Sequence, residues 1–205
     1  MLVLGTTNRG KLVELVELLQ PHGIPCTSLA GLVGAVDVEE TGATFTENAA
    51  LKARSQALAL GRWVLAEDSG LVVPALGGEP GVFSARFSGP AAGADRETVD
   101  RRNNARLLER LAGRSGRERG AHYACHAALA DPEGTIVAVA EGTCHGRIAD
   151  TPAGGGGFGY DPLFIVSEYH RTFGELPPAV KAVISHRARA LRALIPAVVQ
   201  ALGGH

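Results

Sequence analysis

Short apolar runs alternate along this chain with segments of helical periodicity, and that alternation restricts it to an α/β architecture. Residues 2–4 (LVL) read as a buried strand that passes through Gly5 into a polar turn. A helix follows with Leu12, Leu15, Val16 and Leu19 on one face. Thr44-x-x-Glu47 has the form of a capping box and predicts a helix through Leu51 to about Leu60. Residues 63–66 predict another buried strand, ending at Glu67-Asp68-Ser69-Gly70, with residues 71–76 extending from it until Pro74 interrupts. A loop rich in Gly and Pro, residues 77–93, precedes a helix over 95–111 whose apolar positions are Val99, Leu107, Leu108 and Leu111. The segment GRSGRERG, residues 113–120, reads as a charged surface loop without a function. Strand character returns at residues 122–129, 135–140 and 162–166. The last helix carries Leu191, Leu194, Ile195, Val198, Val199 and Leu202 on one stripe, and Pro196 is expected to kink it. Short strands spread between helices favour one mixed central sheet flanked by helices, in two lobes around a substrate cleft. There is no linker long enough to separate independent domains, so residues 1–205 read as one domain.

The totals narrow the function. A chain of 205 residues that is 45% hydrophobic and 20% charged can bury a real core. A formal net charge of -1 argues against a general binder of nucleic acid or of a membrane surface, so any anion site must be built locally. Three cysteines without a C-x-x-C pair indicate neither a disulfide framework nor a thiolate zinc site. The first apolar run is too short for a signal peptide and no stretch is long enough to cross a bilayer, so the cytoplasm is expected.

Several residues have the chemistry for a site. Gly5 to Lys11 lies between a strand and a helix, where free backbone N–H groups and the positive helix end attract an anion. The alternative is a helix capped by Asn8 with Lys11 in solvent. The spelling G-x-x-x-x-G-K is that of a P-loop, but Leu12 stands where Ser or Thr would ligate magnesium. Asp68, at the mouth of an apolar run, is placed for a metal ligand or a general base. On spacing alone, a turn Asp accepting local backbone hydrogen bonds explains it better. Glu67 should point the other way if the strand persists. Glu39-Glu40 offers a second carboxylate pair, for which solubility is the simpler account. Asn48 and Lys52 share a helix face, on which a solvated Lys is the commoner outcome. The run from Gly154 to Asp161 permits close backbone approach to a ligand and adds the rings of Phe158 and Tyr160. Ser185 can be an N-cap of the last helix. His122 and His126 form H-x-x-x-H, but on a strand and without the glutamate of a zinc motif, so zinc is rejected; Cys125 reads as a small core residue.

Taken in order, the blocks TTNRGK, EETGATFTENAALKA, EDSGLVVPALGGEPGVFSARFSG, GGGGFGYDP and KAVISHRARAL resemble the inosine/xanthosine triphosphate pyrophosphatase family. The resemblance runs from residue 6 to 191, with Glu67 standing where many relatives have Asp. It implies a two-lobed α/β fold, a homodimer, one catalytic magnesium, and hydrolysis of ITP, dITP and XTP to the monophosphate and pyrophosphate. Carried over residue by residue, Thr6, Thr7, Asn8, Arg9, Gly10 and Lys11 hold the phosphates, with help from Lys52. Glu40 and Asp68 bind the metal, Asp68 is also the proton acceptor, and Ser69 touches substrate. Phe158, Gly159, Tyr160 and Asp161, with Lys181, His186 and Arg187, shape the nucleoside pocket. The last three are hydrogen-bond donors, suited to the C6 oxygen of hypoxanthine and xanthine and not to the amino group of adenine. The competing reading is a P-loop-like kinase or NTPase acting at the γ-phosphate; a nucleotide-binding module without turnover is a third.

Overall fold

Strand β1 (Leu2–Leu4) lies in a seven-stranded sheet with β2 (Cys26–Ser28), β3 (Val64–Val72), β4 (Gly120–Ala130), β5 (Ile136–Ile148), β6 (Phe164–Val166) and β7 (Arg171–Thr172). The order is β2-β1-β3-β4-β5-β6-β7. β1 runs parallel to β2 and β3, whereas β6 is antiparallel to both β5 and β7, so the sheet is mixed. Five helices accompany it among the described residues: α1 (Arg9–Leu19), α2 (Phe45–Leu60), α3 (Arg96–Arg110), α4 (Pro178–Ile184) and α5 (His186–Gly203). The structure, a computed structural model, describes residues 1–90 and 93–203. Ala91 and Ala92 of the expected Gly- and Pro-rich loop, and the last two residues of the expected 1–205 domain, lie outside the described residues.

The chain divides into two compact units, one made of Met1–Asp68, Cys125–Gly142 and His186–His205, the other of Ser69–Ala124 and Thr143–Ser185. In the first unit, strand alternation sorts side chains onto two cores. Leu2, Leu4 and Leu65 pack with Leu15 and Leu19 of α1 and with Leu191, Leu194 and Val198 of α5. Val3, Val64 and Ala66 pack instead with Ala49, Ala53 and Ala57 of α2. The second unit has its own core, in which Tyr123, Phe164 and Phe173 pack as an aromatic cluster with Leu107 and Leu163.

The capping box that opens α2 is complete. The Glu47 backbone N–H donates to Thr44 Oγ1 at 3.2 Å, and the Thr44 N–H donates to the Glu47 carboxylate at 3.2 Å. A cap of this kind contributes about 1 kcal/mol to the helix.

Other expectations need correction. β3 does not stop at Glu67 but runs through Asp68, Ser69 and Gly70 to Val72; β1 pairs only with Val64 and Leu65, and the neighbouring β4 supplies the ladder that overrides the turn-like composition. β5 continues eight residues beyond Ala140. Arg119, read as part of a surface loop, is buried, donating to the carbonyls of Leu111, Ile148 and Ala149. Val16 and Val199 are exposed members of their stripes. α5 continues through Pro196. Its proline sacrifices about 3 kcal/mol of helix stability. Burial of Leu191, Leu194, Ile195 and Val198 around it returns about 1.5–3 kcal/mol for each side chain, so the helix persists. α4, β2 and β7 had no forecast in the sequence pattern.

Gly142 in β5 has a steric reason. A Cβ there would lie 2.3 Å from the His186 carbonyl oxygen and 2.5 Å from the Ala190 backbone nitrogen. Both obstacles are backbone and cannot rotate away. Gly142→Ala should therefore lose about 1–3 kcal/mol, read as a lower urea midpoint at constant m-value. An unshifted midpoint would mean that strand and helix part without cost.

Candidate active site

The two carboxylates at the centre of β3 are separated by the alternation that sorts the core. Glu67 follows Leu65 toward α1 and α5, and Asp68 follows Ala66 toward α2. Both are buried. Asp68 lies within a strand and not in the turn that was its simpler reading, and side chains from neighbouring helices reach both carboxylates.

Asp68 meets the α2 face that carries Asn48 and Lys52, one helical turn apart. Lys52 Nζ lies 3.1 Å from Asp68 Oδ1 and 2.6 Å from Glu40 Oε1. Asn48 Nδ2 donates to Asp68 Oδ2 at 3.3 Å. The same amide accepts through Oδ1 from the Gly42 N–H at 2.8 Å, which ties the loop bearing Glu40 to the start of α2. A single helix face thus draws Glu40 and Asp68 to one ammonium. Glu40 is not merely a solubility residue, and Lys52 is not in solvent. Burial raises the Asp68 carboxyl above its ordinary range, although Lys52 and Lys11 pull it back. For Lys52, burial disfavours the charge, but Asp68 and Glu40 outweigh it and the ammonium is held more firmly than usual.

Glu67 occupies the other face. Lys11 Nζ approaches its Oε1 at 3.1 Å, and Arg187 reaches the same oxygen through Nη2 at 3.2 Å and Nε at 3.3 Å. Arg187 also donates through Nη1 to Glu14. Burial works against the Arg187 charge, but Glu67 and Glu14 more than compensate and keep the guanidinium protonated. Cys125 contributes a thiol 3.5 Å from Glu67 Oε2 and is otherwise core; burial and Glu67 push it up, so it stays a thiol. Glu14, three residues beyond Lys11 on α1, carries no motif signal except that spacing.

The first turn of α1 combines both earlier readings. Asn8 caps the helix, accepting from the Lys11 N–H at 3.2 Å, and Thr6 Oγ1 accepts from the Asn8 N–H at 3.2 Å. Lys11 is nevertheless drawn to Glu67. Thr7 and Arg9 are exposed, and Gly10 is half-buried between them and Lys11.

In the second unit the glycine run closes into a tight turn over 157–161. Asp161 Oδ2 accepts from the Phe158 N–H at 2.9 Å and from Lys181 Nζ at 2.5 Å, and Tyr123 Oη donates to Oδ1 at 3.3 Å. The Lys181 ammonium stands 4.4 Å from the Phe158 ring centre, a cation–π contact. Gly157 must be glycine: its φ is +74°, and a Cβ would fall 2.0 Å from Asp161 Oδ2. Tyr160 is buried with its hydroxyl on the Ser84 carbonyl at 2.9 Å, and burial, then Asp100, raises its proton affinity. Ser69 is half-buried in β3, His186 is buried at the head of α5, and Ser185 links α4 to α5.

Among the described residues, no group of three or more His, Cys, Asp or Glu is arranged to enclose a metal ion. His126 is engaged with Thr46 at 2.8 Å, and His122 packs on His145 at 5.3 Å. Glu40 and Asp68 are hard oxygen donors whose oxygens both meet the Lys52 ammonium.

The sequence profile of the Ham1 family matches residues 2–197. The chain belongs to the Ham1 family. It is 51% identical over 199 residues to the dITP/XTP pyrophosphatase of Rhodopirellula baltica, covering 97% of this chain and 93% of that one. The dITP/XTP pyrophosphatase of Thermus thermophilus is 49% identical over 195 residues, with 95% and 90% covered. Among solved structures, a HAM1 protein from Coxiella burnetii is similar with a TM-score of 0.84 at 38% identity, covering 97% of this chain and 98% of that one. The Staphylococcus aureus Ham1 protein gives 0.82 at 36% identity, with 98% of each chain covered. The Ham1 fold is accordingly the mixed α/β fold described above.

Proposed function

We propose that this Ham1-family chain hydrolyses non-standard purine nucleoside triphosphates (XTP, ITP and dITP) to the monophosphate and pyrophosphate, cleansing the nucleotide pool. It would act as a homodimer in the cytoplasm, with residues 1–205 as one functional domain. No helix among the described residues is long and apolar enough to cross a membrane. The observation that carries the reading is Asp68, a buried carboxylate of raised proton affinity gripped by Lys52 and Asn48, in a chain with such close pyrophosphatase relatives.

Nucleotide pyrophosphatases generally need a divalent metal. Glu40 and Asp68 fit magnesium, since their oxygens already converge on one cation, Lys52, and magnesium with a phosphate substrate needs only one or two carboxylates. Bound there, the ion would neutralise charge on the triphosphate. Asp68 accepts the proton of the attacking water. Lys52 holds Glu40 and Asp68 in place and, with Lys11, offers positive charge to the phosphates. Thr6 to Lys11 supply donors at the start of α1, and Ser69 touches the substrate. Phe158 to Asp161 and Lys181 bind the nucleoside, where a donor facing the adenine amino group costs ~1–3 kcal/mol.

A panel of XTP, ITP, dITP and ATP with magnesium, scored for product, is the test. Pyrophosphate should appear from the first three, with ATP well behind, and chelation of the metal should stop turnover. Orthophosphate as the product would favour the γ-phosphate reading, which already lacks a Ser or Thr after Lys11. Binding without turnover would indicate a non-catalytic module.

A further inference from the structure

Helix α3 lies outside every block of family resemblance, yet two buried polar residues, Asp100 and Asn103, and the half-buried Asn104 line one side of it. Two of them address a single residue of the turn over 157–161. The Gly159 N–H donates to Asp100 Oδ2 at 2.8 Å, and Asn104 Nδ2 donates to the Gly159 carbonyl at 3.0 Å. The spacing of four places both side chains on one helical face. Together they satisfy the donor and the acceptor of one peptide residue, as a neighbouring strand would. Gly159 adopts φ +64°, which glycine does without strain, and the two bonds fix that conformation in the turn between Phe158 and Asp161. Asp100 is steadied from α3 itself by an ion pair with Arg96, whose Nε lies 3.0 Å from Oδ1. Asn103 grips the preceding loop, accepting from the Ser88 N–H at 2.8 Å and donating to the Ser84 and Ala85 carbonyls at 3.3 Å each. Tyr160 joins the two loops through its bond to Ser84.

We infer that Asp100 and Asn104 are positioning residues for nucleoside recognition: α3 holds Gly159 so that Phe158 and Lys181 present a fixed face to the purine. The inference rests on the proposed function and deepens it. Neither side chain needs to touch substrate. If the clamp opens, binding should suffer before chemistry, because Asp68 and Lys52 belong to a different set of contacts.

The test is steady-state pyrophosphate release from ITP with magnesium, alongside amide hydrogen exchange at the 157–161 turn. Asn104→Asp replaces the donor with a carboxylate oxygen facing the Gly159 carbonyl, and Asp100→Ala removes the acceptor. Each is expected to raise KM about tenfold or more with kcat little changed, and to speed exchange in the turn. Asp100→Asn keeps an acceptor and should recover most of the Asp100→Ala loss. Arg101→Ala, an exposed change on the same helix, should leave KM alone. If Asn104→Asp does not fold, the two Asp100 variants decide. Unchanged KM in an active background, a fall confined to kcat, or an Asp100→Asn as impaired as Asp100→Ala overturns the clamp. A wild-type chain that releases no pyrophosphate overturns the proposed function instead, and with it the nucleoside role of α3.

Discussion

Asp68→Asn should fold and bind nucleotide but release pyrophosphate ~10²–10⁴-fold more slowly than the parent chain. The amide cannot take a proton from water, and it is a poorer cation ligand than a carboxylate. The fold should survive because Lys52 retains Glu40 as a partner at 2.6 Å, so no buried ammonium is left alone. Circular dichroism and a urea midpoint would establish the folded state, and pyrophosphate release from XTP and ITP the rate. Turnover within about threefold of the parent would remove Asp68 from the role of base, since loss of a general base costs at least ~10²-fold.

Arg187→Ala should have the largest effect on stability, a loss of about 3–5 kcal/mol. The substitution takes the guanidinium from Glu67, which keeps Lys11 and the Cys125 thiol, and from Glu14. Replacing one member of a buried ionic set is costly because the remaining charges keep their desolvation penalty without full compensation. Urea unfolding measures it, and a loss below about 1 kcal/mol would show that water or Lys11 readily replaces the guanidinium. The same variant tests base selection at a temperature where it remains folded. If Arg187 also reads the C6 oxygen, kcat/KM for ITP relative to ATP should narrow; an unchanged ratio would confine Arg187 to holding Glu67.

Much of this was legible in the residues. The capping box at Thr44 and Glu47 named the start of α2 because its two hydrogen bonds are local. The four-residue spacing of Asn48 and Lys52 placed both on one face for the same reason. The Asp100 and Asn104 pair has equally regular spacing, but its partner lies 59 and 55 residues away, so nothing local announced it. α4 was missed because a seven-residue helix shows little periodicity. Glu14 was missed because an acidic residue on a half-exposed helix is ordinarily solvated.

The sequence by itself determined the α/β class, the starts of α1, α2 and α3, the order of the blocks that mark the family, and which residue types could do the chemistry. These depend on periodicity, capping and the identity of side chains, all of which act over a few residues. Only the tertiary structure decided the environments of the two carboxylates of β3. As a turn, Glu67 and Asp68 would have shared solvent; as residues of a strand that pairs with β4, they point to opposite faces. One is then locked among Lys11, Arg187 and Glu14, and the other is delivered to Lys52, Asn48 and Glu40. That division comes from ladder pairing between segments far apart in the chain, which no local pattern encodes.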